Sequence, residues 1–160
     1  MTSKSKNPFW KALALGALAG MRTSSAPIIT NRLLSKHRGH IHYFKWLASN
    51  GAGIAFGVMG AGELVGDKLP QTPSRIAPRG LIGRCVSGAL AGGAIYEAAG
   101  DNALVGALIG SAAASCSTFA SYLARKKVDS ITGIADPIIG GVEDLLVISA
   151  GVALIRDGLA

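Results

Sequence analysis

Charged side chains make up 16% of this 160-residue sequence and aromatic ones 6%. Soluble domains carry about 25% charge, so a conventional water-facing surface is hard to build from this chain. A soluble core of this size would also lean on Phe, Tyr and Trp, which are scarce. Only two cysteines occur, Cys85 and Cys116, both inside apolar runs, so they read as packing residues rather than a disulfide or metal site. Enzyme signatures are missing as well: there is no Walker loop, nucleophile elbow, HExxH or dinucleotide fingerprint. No enzymatic activity and no cofactor are therefore expected. His37, His40 and His42 cluster, but no cysteine or carboxylate lies close in sequence, so a solvated segment is favoured over a metal centre. Neither a low-complexity tail nor a second domain is evident, and residues 1–160 read as one domain with a polar tail at 1–8.

What is present is Ala, Leu, Ile, Val and Gly. Hydrophobic residues reach 49% and mean hydropathy is +0.40. The 22 glycines lie within apolar runs rather than in polar tracts, where small residues let membrane helices approach closely. The expected fold is an all-α, polytopic membrane helix bundle of four to six segments. The net charge of +7 raises nucleic-acid binding, but the basic residues fall in short polar stretches between apolar runs, as in cytoplasmic loops. No nucleic-acid partner is expected. The first apolar run lacks a clean small-residue cleavage site, so no cleavable signal peptide is expected.

The first run starts near Phe9 and breaks at Arg22-Thr23-Ser24-Ser25-Ala26-Pro27, predicting a broken or re-entrant segment whose freed backbone groups need protein or a wet cavity. Further runs cover 47–66, 81–99 and 103–124, and a last one opens at Asp136-Pro137, a helix-start signal, and continues to about Ile155. A proline-rich connector, 67–80, contains Pro70, Pro73 and Pro78. Glycines four apart recur at Gly16/Gly20, Gly53/Gly57, Gly62/Gly66, Gly88/Gly92 and Gly106/Gly110, predicting tight helix contacts within a protomer or across a homodimer. The basic Arg125-Lys126-Lys127 stretch is expected inside with the amino terminus and the connector, and the Glu97–Asp101 link outside. The basic segment 35–46 conflicts with that assignment unless it lies in the membrane interface or the first segment re-enters. Aligning Gly16/Gly20 with Gly106/Gly110, and Glu63 with Glu143, suggests an inverted repeat.

The stretches GALAGMRTSSAP, GELVGDKLPQTPSRIAPRGLIGRCVSGALAGG and DPIIGGVEDLLVI resemble an uncharacterised family of small bacterial membrane proteins, known only as a domain of unknown function of the 4126 type. The resemblance spans about Ala12 to Ile155, with GELVGDKLPQTPSR its most specific piece. It implies a multi-pass protein of the bacterial plasma (inner) membrane and brings no activity, substrate or site.

Ionisable residues inside membrane runs are costly and are functional candidates by default. Here they are Arg22, Glu63, Asp67, Arg84, Glu97, Asp136, Glu143 and Asp144. One reading is a small transporter or channel binding an ion or passing protons. In it Glu63 and Glu143 are the responsive groups, Arg22 their counter-charge, Asp67 and Asp144 their support, and Ser24 and Ser25 hydroxyl ligands. The opposing reading pairs Arg22 and Arg84 with Glu63 and Glu143 as a structural lock. A third uses Lys68, Arg75, Arg79 and Arg84 to hold lipid phosphate, in a protein that transports nothing and binds lipid or scaffolds a partner complex. The expected partners are the lipid bilayer, a second copy, and an ion or solute that the sequence does not name.

Overall fold

The computed structural model describes residues 8–35, 41–66, 78–132 and 136–158, and among them the chain is all-helical. Six α-helices follow in order: α1 (Pro8–Met21), α2 (Ser25–Ser35), α3 (Asn50–Gly66), α4 (Pro78–Ala98), α5 (Ala103–Thr132) and α6 (Asp136–Asp157), with a 3-10 turn at Lys45–Ala48 between α2 and α3. The expected runs are recovered with shifted ends. Pro78 opens α4 rather than belonging to an extended connector, because proline at a first helical position gives up only an amide that has no partner there. α5 continues through Arg125-Lys126-Lys127, which was expected to be a loop. Asn102 starts α5 by accepting the Leu104 amide on Oδ1 at 2.9 Å, the usual capping bond. Gly100, at φ +80°, lets the chain turn out of α4 in a conformation that disfavours other side chains.

The helices alternate in direction. Gly16 and Gly20 of α1 meet Gly110 and Ala114 of α5 in the same order, so these two run parallel. Gly88 and Gly92 of α4 meet Gly110 and Gly106 in reverse order, so α4 opposes α5. Arg22 meets Asp144, whereas Ile29 meets Gly151, so α2 follows α6. Asn31 touches Gly53 while Ser24 bonds Glu63, so α3 opposes α2. The chain thus reverses at Arg22–Ser24, and α1 and α2 form a hairpin of arms only ~21 and ~16 Å long at 1.5 Å per residue. The tip is level with Gly83 and Ser87 of α4 and with Ala114 to Thr118 of α5, near the middle of both long helices.

This arrangement corrects two expectations. The start of α1 lies at the bundle end that carries Glu97, opposite Arg125–Lys127, because the hairpin returns rather than crosses. The aligned pair α1 and α5 runs parallel, and the aligned pair α3 and α6 runs antiparallel, so no single inversion relates them. Basic residues stand at both ends, with Arg32 and Lys45 at one and Arg79 and Lys126 at the other.

The interior is built from small residues. α1, α4 and α5 pack through glycine against glycine, and the buried core mixes alanine with Leu15, Leu18, Ile29, Leu33, Leu34, Ile41, Leu47, Ile95 and Val147. Large apolar side chains point outward instead, among them Ile54, Val58, Ile82, Leu104, Leu108, Leu145 and Ile148. Among the described residues one helix, over Ala103–Val128, is long and apolar enough to cross a membrane, with a mean hydropathy of 1.6.

Two polar clasps hold the other end of the bundle. Asn31 is buried and donates through Nδ2 to the carbonyls of Leu47 and Ser49, at 2.6 and 2.9 Å, fixing the entry to α3. Asn31→Leu is expected to cost about 2 kcal/mol, since the buried Leu47 carbonyl and the half-buried Ser49 carbonyl lose their donor. Detergent unfolding checks this. Glu97, in the last turn of α4, accepts the amides of His42, Tyr43 and Phe44 at 2.8, 2.7 and 3.0 Å. Burial pushes its carboxyl up, but the amide bonds from Tyr43, Phe44 and His42 outweigh it and hold the group below the usual carboxylate range. A depressed folded value gives stability that is complete above the unfolded carboxyl range and lost as pH falls through the folded value. Acidification below about pH 4 should therefore speed hydrogen exchange at residues 42–44, and Glu97→Gln should remove that pH dependence.

Candidate functional site

The turn between α1 and α2 leaves carbonyls at the end of one helix and amides at the start of the next without helical partners. Hydroxyls take the carbonyls. Ser25 Oγ donates to Leu18 and Arg22 carbonyls at 2.9 and 2.7 Å. Ser87 Oγ from α4 donates to the Thr23 carbonyl. Ser117 Oγ and Thr118 Oγ1 from α5 donate to those of Ala17 and Gly20, at 2.7 and 3.1 Å. A carboxylate takes the amides. Glu63 of α3 accepts the Thr23 amide on Oε1 at 2.9 Å, and the Ser24 amide and hydroxyl on Oε2 at 3.1 and 2.7 Å. The positive end of α2 suits this anion.

Arg22, the first residue of the turn, pairs with Asp144 of α6 at 2.7 Å, both side chains largely buried. One tip therefore gathers Arg22, Ser24, Ser25, Glu63 and Asp144, five of the residues that the sequence singled out. Their pairing differs from expectation: Arg22 faces Asp144, and Glu63 is held by backbone and hydroxyl groups. Glu143 pairs with Arg125 of α5, whose Nε lies 3.0 Å from Oε2. Arg125 had been read as part of a basic loop.

Arg84 is buried in α4, between the Gly83 and Ser87 that approach Thr23. That places it beside the tip, whereas Arg79 is exposed in the first turn of α4. Asp67, Lys68 and Arg75 lie outside the described residues, as do His37 and His40. Ser87, Ser117 and Thr118 escaped the sequence reading. Their signal was the lone Ser87 in α4 and the hydroxyl-rich middle of α5, which have meaning only once α1 is seen to end beside them.

Chemically, the tip offers two carboxylates, a guanidinium and several hydroxyls around a break in the backbone. No group of three or more His, Cys, Asp or Glu residues able to hold a metal occurs among the described residues. No curated protein and no solved structure matches the chain. A family match covers residues 10–156, and the chain belongs to the family described as Domain of unknown function (DUF4126).

Proposed function

We propose that this protein is a small multi-pass transporter or channel of the bacterial plasma membrane, with the α1–α2 hairpin as a re-entrant element and its tip as an ion- or proton-responsive site. The observation that carries this reading is the broken backbone at mid-height, clasped by Glu63 from α3 and Asp144 from α6. Non-helical backbone at membrane depth is tolerated only when protein or a wet cavity satisfies it. Half-helix ends facing charged groups near the midplane are how transporter folds bind ions and solutes. The outward-facing apolar side chains support lipid surroundings for α3, α4 and α6 as well as α5, since many of their large apolar side chains are exposed while glycine and alanine make up much of the helix contacts.

Each carboxylate fastens one outer helix to the tip of the glycine-packed α1–α4–α5 unit. Neutralising either one weakens its charge-assisted bonds and frees that helix to move, which links protonation to opening. Proteoliposomes loaded with a pH-sensitive dye test this under an imposed proton gradient, with sodium or potassium as the counter-cation. The parent should dissipate the gradient, whereas Glu63→Gln and Asp144→Asn hold the neutral, freed state but have no carboxylate to take up and release protons, and should slow dissipation at least about tenfold, the scale of 1.4 kcal/mol in a barrier. Equal rates in parent, variants and empty liposomes contradict the reading.

A second reading is favoured by the pairing itself. Glu63, Glu143 and Asp144 all have protein partners, which suits a locked bundle that transports nothing. In that case the exposed Arg79 binds anionic headgroups or the bundle scaffolds a partner complex, and Arg79→Ala weakens vesicle binding while the acidic variants leave every flux unchanged. The proposed homodimer would use α3, where a Cβ added at Gly57 or Gly62 meets nothing within 4 Å.

A further inference from the structure

Of the two outer helices that clasp the tip, α3 has the fewer anchors along its length. α6 buries Val147, lays Gly151 against Ile29 and pairs Glu143 with Arg125, besides its bond to Arg22. α3 is fixed mainly at its start. Asn31 holds the Leu47 and Ser49 carbonyls, Glu97 holds the amides of residues 42–44, and Ile41, Leu47 and Ala48 are buried. Ser49, in extended backbone between the 3-10 turn and α3, caps the helix by accepting the Ala52 amide on Oγ at 3.1 Å. Phe56, in the second turn of α3, packs against the core with its ring centroid 6.3 Å from that of Trp46.

Beyond Phe56 the described side chains of α3 give little grip. Val58, Met59 and Val65 are exposed, and a Cβ added at Gly57 or Gly62 meets nothing within 4 Å. Gly60 lies against Ser24 and Ile28, and Glu63 bonds Thr23 and Ser24. In lipid, the outward apolar side chains already stand in an apolar solvent, so no hydrophobic force presses this half of the helix onto α2. One glycine contact and one carboxylate hold it there.

We infer that α3 is a hinged arm, pivoting at Ser49 and latched at its far end by Glu63, so that releasing the latch swings its distal half away from the hairpin tip. Residues at the ends of elements are where hinge motions take up their backbone rotation. The Thr23 and Ser24 amides left behind need water, because lipid cannot satisfy them, so the swing also wets the tip. As a gate, the arm rests on the transport reading above; as a motion, it rests on the latch alone.

The test is double electron–electron resonance on the full chain in lipid nanodiscs, in a background with Cys85→Ser and Cys116→Ser. Nitroxide labels go on exposed positions, pairing Phe119→Cys of α5 with Val65→Cys, Ile54→Cys or Ile148→Cys. Labelled chains are diluted with unlabelled ones, so that only distances within one protomer are read. Val65 and Ile54 lie ~24 and ~8 Å from Ser49 at 1.5 Å per helical residue, so a swing moves the first about three times as far. Glu63→Ala should change the Val65–Phe119 distance about threefold more than the Ile54–Phe119 distance, and leave Ile148–Phe119 of α6 as in the parent. Glu63→Gln, which keeps one acceptor oxygen, should give the same pattern at smaller amplitude, and decides the matter if the alanine variant does not fold. Equal distances in parent and variants, or equal changes at Val65 and Ile54, overturn the inference. A matching change at Ile148 overturns it too, because the bundle then loosens as a whole. The predicted pattern in a protein whose proteoliposomes pass no protons keeps the arm and removes the transporter. Proton flux with no change at Val65 removes the arm alone.

Discussion

Gly110→Leu is expected to abolish the folded protein, and Gly110→Ala to destabilise it by about 3 kcal/mol, the upper range of overpacking costs. Gly110 sits where three helices meet. A Cβ there would press on the Gly88 carbonyl and come within 3.3 Å of the Gly92 Cα, while α1 brings Gly16 against its other side. The obstacles are backbone atoms, so no side chain can swing away, and relief requires α4 or α1 to separate from α5. Glycine at Gly141 of α6, where nothing lies within 4 Å, provides the control: Gly141→Ala should be neutral or stabilising, because alanine favours helix. Detergent unfolding and the monodisperse fraction after purification check both. A tolerated Gly110→Leu would mean that the three helices do not meet as described.

The second large effect is expected at Glu63. Glu63→Ala leaves the Thr23 and Ser24 amides and the Ser24 hydroxyl without their acceptor. Each buried unmade bond costs about 1–3 kcal/mol, so a total loss of about 4 kcal/mol is expected. Glu63→Gln keeps one acceptor oxygen and should cost about half as much, which leaves enough folded protein for flux measurements. Hydrogen exchange at Thr23 and Ser24 should rise in both variants and most in Ala. Unchanged exchange would show that α3 does not cap the hairpin.

The sequence announces the hairpin locally but not what it meets. Arg22 through Pro27 interrupts an apolar run with a charge, three hydroxyls and a proline, and the chain breaks there because hydroxyls and proline both serve helix ends better than helix interiors. Whether the chain then crosses or returns depends on contacts with α3 and α6, which are remote in sequence. Glu63 lies 40 residues from Thr23, and spacing carries no trace of their bond. The glycine pairs are legible for the same reason the break is, since each lies within one helix. Their partners are not: Gly88 and Gly92 could have faced a second copy, and only tertiary packing shows them against Gly110 and Gly106.

Charge pattern misled in two places. Arg125 looks like a loop residue in an Arg-Lys-Lys run, yet α5 continues through it and turns its side chain to Glu143. The amino terminus was assigned to the side of that run, which assumed an even number of crossings between them. A returning hairpin changes the parity and moves the start of α1 to the end with Glu97.

The central claim, that α1 and α2 enter the membrane and return from its middle, is tested most directly by side-specific cysteine labelling. Single cysteines at Phe9, Ser35, Asp101 and Lys126, in a chain with Cys85→Ser and Cys116→Ser, would be reacted with an impermeant maleimide in oriented vesicles. The account predicts that Phe9→Cys, Ser35→Cys and Asp101→Cys label from one side and Lys126→Cys from the other. Labelling of Phe9→Cys and Ser35→Cys from opposite sides would contradict it, because the first segment would then cross the membrane instead of turning back.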